Sequence, residues 1–368
     1  MKKAHRKFSS PTMRRSSRVF LNDLNASKTA KLVTFLLLCH DVTQYFVDLF
    51  WQRQDTSSDL ADIATVHRAT ERFGITTRLG QALAKQAKEL PRAGRERNGK
   101  KPRIRRHTVT LYSHFVKIEA FDGAFDLAVK LIGSGAPRMV IPVNGTKHLN
   151  EKLDAGWKVG NSIRLGRVGD RLFIDFLLEK PRPKLKPDGK VVGFDSNYKN
   201  GFVFSDGQQV GAEAYELIRS FSKRRKHTHE SVKSLVFAAL KKVDFSAIKL
   251  LAIEDLKKVR HDTRGKFLRL HNRRLSHWLY ASVADWLQRR CEELGVRLER
   301  KDPWKTSQRC AVCGKWDRRS RKGDEFKCVH CGHADHADRN ASKNLEFLGL
   351  AGIYGFRLLQ SPKCHSFG

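Results

Sequence analysis

Two sets of residues in this sequence have the types and spacing to do chemistry. The first is Cys310-Ala311-Val312-Cys313 and Cys328-Val329-His330-Cys331, two CxxC pairs separated by 14 residues. Two thiolates on each tight turn close a tetrahedral site that leaves no position open to substrate, so a zinc ion held there is structural. A redox role needs only one such pair. Because four sulfurs already fill the site, His330, His333 and His336 are read as surface or phosphate-contacting groups.

The second set is three acids, Asp195, Glu254 and Asp338. Asp195 ends the apolar run Val191–Phe194, and Glu254 ends Leu250–Ile253. Asp338 shares a helix face with Ala341, Leu345 and Leu348. An unpaired carboxylate near a core costs several kcal/mol and needs a partner or a metal. Three carboxylates together repel one another unless divalent cations lie between them. Two Mg2+ ions, or Mn2+, roughly 3.5–4 Å apart would activate water and stabilise the leaving oxygen of a phosphodiester. Each acid also has a plainer reading. Asp195 precedes the turn-formers Ser196 and Asn197, Glu254 is followed by Asp255, and Asp338 suits the positive end of a helix dipole. The three in this order, with the cysteine pairs just before the third, favour a metal site.

The elements that must position these residues follow from periodicity. Residues 1–20 are basic and poor in apolar side chains, which predicts an arm that orders on a nucleic acid. Helical spacing of Leu32, Phe35, Leu36, Cys39, Phe46, Leu49 and Phe50 predicts a helix over 28–52, with further helices over 58–90. Arg92–Arg106 holds eight basic residues against one acid and no apolar face, which predicts a loop. Arg103, Arg105 and Arg106 are candidate phosphate contacts there, the alternative being a solvated tether.

From His107 to Glu179 the period becomes two, predicting a small β-rich domain that includes strands at 108–112, 124–129 and 171–176. Pro181–Pro187 is a stiff basic connector. Strands then begin at 191, 202 and 209. Helices follow over 213–243, carrying the basic run Lys223-Arg224-Arg225-Lys226, a second candidate nucleic-acid contact. A strand at 250–254, a helix over 275–294 and a strand at 296–300 complete the order of an RNase H-like sheet, by analogy of element order.

The whole is thus α+β and multidomain. Residues 1–106 form a basic arm and helical lobe, which can be inserted in the next domain, and 107–187 a β-rich domain with its connector. Residues 188–305 form the first part of an α/β domain, 306–334 a zinc-binding insert and 335–368 the last helix and tail.

A net charge of +34 over 368 residues calls for a polyanionic partner, and a 40% hydrophobic fraction supports folded cores. The seven cysteines are odd in number, and Cys39, Cys291 and Cys364 show no pairing pattern, so the chain is read as reduced and cytoplasmic. The start resembles a signal n-region, but the nearest apolar run, Leu32–Cys39, lies about 30 residues in and lacks a small-residue cleavage site. It is also too short to span a bilayer, so it is read as the start of a buried helix with no membrane partner.

Gly193-Phe194-Asp195, Ile253-Glu254-Asp255-Leu256, Thr306–Gly314 and Asp338–Asn344 resemble the signature of the TnpB/OrfB nucleases of insertion sequences and of the compact type V CRISPR effectors derived from them. The likeness is specific over about residues 190–350; before that only the layout is similar. It implies a β-barrel-like wedge domain and a RuvC-type nuclease core in which Asp195, Glu254 and Asp338 are the metal ligands. It implies an RNA-guided DNA endonuclease that carries a guide RNA from a transposon end or a CRISPR array. Its target would be double-stranded DNA beside a short motif read by the protein, with sequence specificity supplied by base pairing. Two positions depart from the pattern: Asn197 stands where Gly is common, and Ser342 where a second Ala is common. Two other functions suit the same residues. One is an RNA-guided repressor that binds without cutting; the other is an RNase H-like transposase that joins strands without RNA.

Overall fold

In the computed structural model the described residues are 11–53, 63–121, 124–197, 199–220, 225–256 and 279–351. They fall into two compact units that divide between Pro181 and Arg182.

In the first unit β1 (Thr12–Phe20) opens an antiparallel sheet whose other strands are β2 (Thr108–Leu111), β6 (Lys158–Val168) and β7 (Arg171–Pro181), in the order β1-β7-β6-β2. Four helices, α1 (Ala26–Gln52), α2 (Ile63–Phe73), α3 (Thr77–Ala87) and α4 (Glu89–Asn98), lie between β1 and β2 in the chain. The helical segment is therefore an insertion between two strands of one sheet. Strands β3 (Val116–Ala120), β4 (Leu127–Leu131) and β5 (Met139–Val143) form an antiparallel meander. A short helix, α5 (Lys147–Asp154), follows; alternation had marked only strands here, but the Thr146 side chain caps this helix by accepting from Leu149 N.

Two expectations are corrected in this unit, and the reading of the apolar run as part of a buried helix holds. Thr12–Phe20 is a strand, not an arm awaiting nucleic acid. Met13, Ser17 and Val19 are buried, and Arg18 meets the buried Asp175 carboxylate at 2.7 and 2.9 Å while lying over the Phe173 ring. The charge that made the segment look unfoldable is neutralised across the ladder. The expected loop at 92–106 begins as helix α4, with Pro91 in its first turn and Gly99 at φ 63° as its left-handed cap. The rest of that stretch is pinned to α1, because Lys101 Nζ lies 3.1 Å from Asp48 and Ile104 N donates to Gln44 Oε1 at 2.9 Å. Finally, the eight-residue apolar run belongs to α1, which by length and composition alone could cross a bilayer. Its face of Leu32, Phe35, Leu36, Cys39, Val42, Phe46, Val47 and Phe50 is instead buried in the core of the unit.

The second unit is built on a five-stranded mixed sheet. Its strands are β8 (Lys190–Asn197), β9 (Gly201–Phe204), β10 (Gln209–Val210), β11 (Ile248–Glu254) and β12 (Arg297–Lys301), in the order β10-β9-β8-β11-β12. The β8–β9 and β9–β10 pairs are antiparallel, whereas β8–β11 and β11–β12 are parallel. Helices α6 (Glu213–Ser220), α7 (Arg225–Lys241) and α8 (Tyr280–Leu294) share a core with Val192, Phe194, Phe202, Phe204, Leu251 and Ile253. The expected start of α8 at 275 lies outside the described residues.

A small sheet of β13 (Arg321–Lys322), β14 (Glu325–Lys327) and β15 (Ala334–His336) precedes the last helix, α9 (Ala337–Leu350). Helix α9 lies directly on β8 at Gly193. A Cβ built there would run into the backbone of Ser342 and Glu346 and come 2.9 Å from Leu345 Cβ. Glycine is what lets this helix approach the strand.

Candidate active site

The parallel register sets Ile253 beside Phe194, and the next residue on each strand is an acid: Glu254 at the end of β11 and Asp195 two residues before the end of β8. The carboxyl edge of parallel strands is where open α/β sheets place their ligands. Asp195 comes from β8 and Glu254 from β11. Helix α9, seated on β8, delivers Asp338 from its first turn. The three acids singled out in the sequence are therefore brought together. Burial, then the Glu254 and Asp338 carboxylates, push Asp195 well above its usual range. Burial also raises Glu254, against the opposing pull of the Thr306 hydroxyl and the Arg321 guanidinium. A cation here would relieve the repulsion on Asp195, and the carboxylate oxygens are the donor type that Mg2+ takes. A cleft of about 430 Å³ opens beside Glu254, lined among others by Phe194, Ser196, Tyr280, Asp285 and Arg300.

Each acid has neighbours that the motif reading did not assign. Asp338, 1% exposed, accepts from Asn197 Nδ2 at 3.1 Å to both oxygens and from Asn200 Nδ2 at 2.7 Å, and Arg321 lies 3.5 Å away. The tip of the β8–β9 hairpin thus holds the α9 carboxylate in place. Asn197, a departure from the family pattern, is one of its clamps. Thr306 Oγ1 donates to Glu254 Oε1, which ties the segment before the first cysteine to the second acid. In sequence, these partners had no signal beyond being polar residues near a motif.

The four cysteines also converge: their sulfurs lie within 4.8 Å of one another. Cys310 Sγ is 3.7 Å from Cys331 Sγ, and Cys313 Sγ is 3.6 Å from Cys328 Sγ. Gly314 (φ 70°) and Gly332 (φ 75°) turn the chain after each pair. Four sulfurs at this spacing suit one tetrahedral zinc ion. Burial pushes Cys310 up to about 12; at Cys328 burial acts in the same sense, but the Cys331 and His330 N–H groups outweigh it and bring the thiol down to about 7. His336, read above as a surface residue, instead caps α9, its Nδ1 accepting from Asp338 N at 3.2 Å.

Helix α9 joins the two centres through buried asparagines. Asn340 donates to Arg309 O at 2.6 Å and accepts from Ala311 N at 2.9 Å. Asn344 donates to Thr306 O at 2.9 Å and Arg309 O at 2.8 Å. These amides, one helical turn apart, bind the 306–311 segment to the helix that carries Asp338. The cysteine turn and the last acid therefore share one rigid mount.

Of the candidate nucleic-acid contacts, Arg103, Arg105 and Arg106 are exposed in the first unit. Lys223 and Arg224 lie outside the described residues, and Arg225 and Lys226 open α7.

Residues 280–345 match the family model described as Cas12f1-like, TNB domain. Over 96 residues the chain is 35% identical to the CRISPR-associated endodeoxyribonuclease Cas12f1 of Sulfoacidibacillus thermotolerans, an alignment covering 26% of this chain and 21% of that protein. Among solved structures, the Cas12f1-sgRNA-target DNA complex aligns with a TM-score of 0.53 at 13% identity, covering 86% of this chain and 82% of that one. The mini-RNA-guided endonuclease CRISPR-Cas_phi3 aligns with a TM-score of 0.42 at 10% identity, over 92% of this chain and 93% of that one. In fold, and in sequence over residues 280–345, the chain is similar to a TnpB-like compact type V effector.

Proposed function

We propose that this chain is an RNA-guided DNA endonuclease with a RuvC-type core. Asp195, Glu254 and Asp338 would hold two Mg2+ ions, or Mn2+, and Cys310, Cys313, Cys328 and Cys331 one structural Zn2+. The observation that carries the reading is the meeting of three carboxylates from distant segments at one sheet edge, two of them raised by burial, in a chain of net charge +34. Bound divalent ions would supply a hydroxide-like nucleophile and neutralise charge on the departing oxygen. The protein's own share is positioning. Asn197 and Asn200 hold the Asp338 carboxylate, Thr306 orients Glu254, and the Asn340 and Asn344 amides fix α9 against the cysteine turn.

The partners follow from charge and from the relatives. A guide RNA, from a transposon end or a CRISPR array, would be held through its phosphates. Double-stranded DNA carrying the complementary sequence and a short adjacent motif would be the target. Arg103, Arg105, Arg106 and the Lys223–Lys226 run are the proposed phosphate contacts.

The test is to purify the chain from its host, sequence the RNA that comes with it, and offer a plasmid bearing the complementary site in Mg2+. Cutting by the parent protein, and none by Asp338→Asn with RNA retained, is the expected result. Tight guided binding without cutting would make the chain a repressor. End joining with no RNA present would make it a transposase.

A further inference from the structure

The cysteine segment carries an aromatic cluster that neither metal centre uses. The Trp304 and Trp316 rings lie 6.1 Å apart at 63°, and the Lys305 ammonium sits over the Trp316 ring. Trp316 is 38% exposed, next to the exposed Lys315 and Arg318, and Val312 nearby is 68% exposed. Its backbone is fixed, because Trp316 bridges Arg309 and Cys310 N donates to Lys315 O at 2.9 Å. Lys305 has φ 57°, a left-handed conformation disfavoured for a non-glycine residue. The next residue is Thr306, whose hydroxyl touches Glu254 and whose carbonyl accepts from Asn344. The cluster is thus covalently adjacent to a residue in contact with the candidate catalytic acid.

A flat, partly exposed indole among cations is suited to an unpaired nucleobase. Every base has a π-face to stack, and the surrounding charge favours its phosphates. Two acids adjoin the cluster: Asp317 is held by Arg319 at 2.8 Å, and Asp302 accepts from Trp304 N at 3.0 Å. We infer that Trp316, with Trp304 and Lys305, is a stacking platform that seats one unpaired base of the DNA strand entering the carboxylate site. On binding, the Lys305 ammonium leaves the ring face for the adjacent phosphate. The identity of the strand rests on the nuclease reading above; the stacking itself does not.

The experiment uses the full chain carrying Asp338→Asn, so that nothing is cut, and a single-stranded dT20 oligonucleotide. Binding is expected to quench tryptophan fluorescence. Trp316→Ala should weaken binding about five- to hundredfold, and Trp316→Phe should keep most of the affinity. An abasic oligonucleotide of the same length should bind the Trp316 protein as weakly as dT20 binds Trp316→Ala, with no further loss when the two changes are combined. Lys305→Ala should lower the salt slope by about 0.7, one single-strand phosphate. Zinc content and melting temperature report the fold. If Trp316→Ala loses zinc, the abasic strand on the unaltered ring gives the same answer. Equal affinity for dT20 and the abasic strand overturns the platform. So does guided cutting by Trp316→Ala at the parent rate. Absence of guided cutting by the parent protein, with the stacking signal intact, overturns the nuclease reading alone.

Discussion

Gly193→Ala tests whether the seat of α9 on β8 sets the geometry of the site. The added methyl would collide with the Ser342 and Glu346 backbone and stand 2.9 Å from Leu345 Cβ. Ordinary carbon contacts lie near 3.5–4.0 Å, so the helix must retreat by on the order of 1 Å. Backbone cannot rotate aside as a side chain does, so the strain is not relieved locally. Overpacking of this kind costs about 1–3 kcal/mol. At roughly 2–4 °C per kcal/mol for a unit of this size, the melting temperature should fall by about 2–12 °C. Asp338 lies one turn before Ser342 on the same helix and moves with it. A displacement of about 1 Å at a catalytic group is worth on the order of a hundredfold in rate. The assay is single-turnover cleavage with saturating guide RNA, alongside a melt and a zinc determination. Gly349→Ala is the control, because the three atoms nearest a methyl there are side-chain atoms of Val191, Leu250 and Ala252, at 2.8 to 3.2 Å. A Gly193→Ala protein that melts and cuts like the parent, or no worse than Gly349→Ala, refutes the argument.

Asn200→Ala removes the 2.7 Å donor to Asp338 and should raise the Mg2+ concentration for half-maximal cleavage about 10–100-fold, read from a metal titration; an unchanged midpoint dismisses the clamp. Asp195 is raised in the fold, so the folded chain binds that proton more tightly than the unfolded chain does, and metal-free stability is lost as pH climbs from near 3.8 through the raised value. Asp195→Asn should therefore melt higher than the parent at pH 8 without Mg2+, gain nothing from added Mg2+, and not cut; a variant that melts lower at pH 8 contradicts the repulsion. Replacing Arg103, Arg105 and Arg106 with Gln should reduce the salt slope of nucleic-acid binding by about two to three phosphates while leaving the melt unchanged, and a constant slope would reduce these residues to a solvated edge.

The acids that close the Val191–Phe194 and Leu250–Ile253 runs, the four cysteines and the Asp338 helix were legible in the chain, because each is a local pattern: an apolar run closed by an acid, a CxxC turn, a face at helical spacing; that β8 runs on past Asp195 to Asn197 was not. The same local reasoning misjudged Thr12–Phe20 and Arg92–Asn98. In the first, the partner that neutralises Arg18 is Asp175, over 150 residues away. In the second, the helix is bounded by Pro91 and Gly99 rather than by an apolar stripe.

The sequence by itself determined which atoms are available: three carboxylates, four thiolates and a large excess of cationic side chains. Tertiary structure decided which of them meet. Asn197 and Asn200 become ligands of a carboxylate about 140 residues on only because α9 packs on β8 at Gly193. Thr306 meets Glu254 where the Asn340 and Asn344 amides fasten the cysteine turn to that helix. A spacing rule carries the chain's own periodicity and nothing more. Contacts between distant segments depend on packing, so they had to be found in the fold.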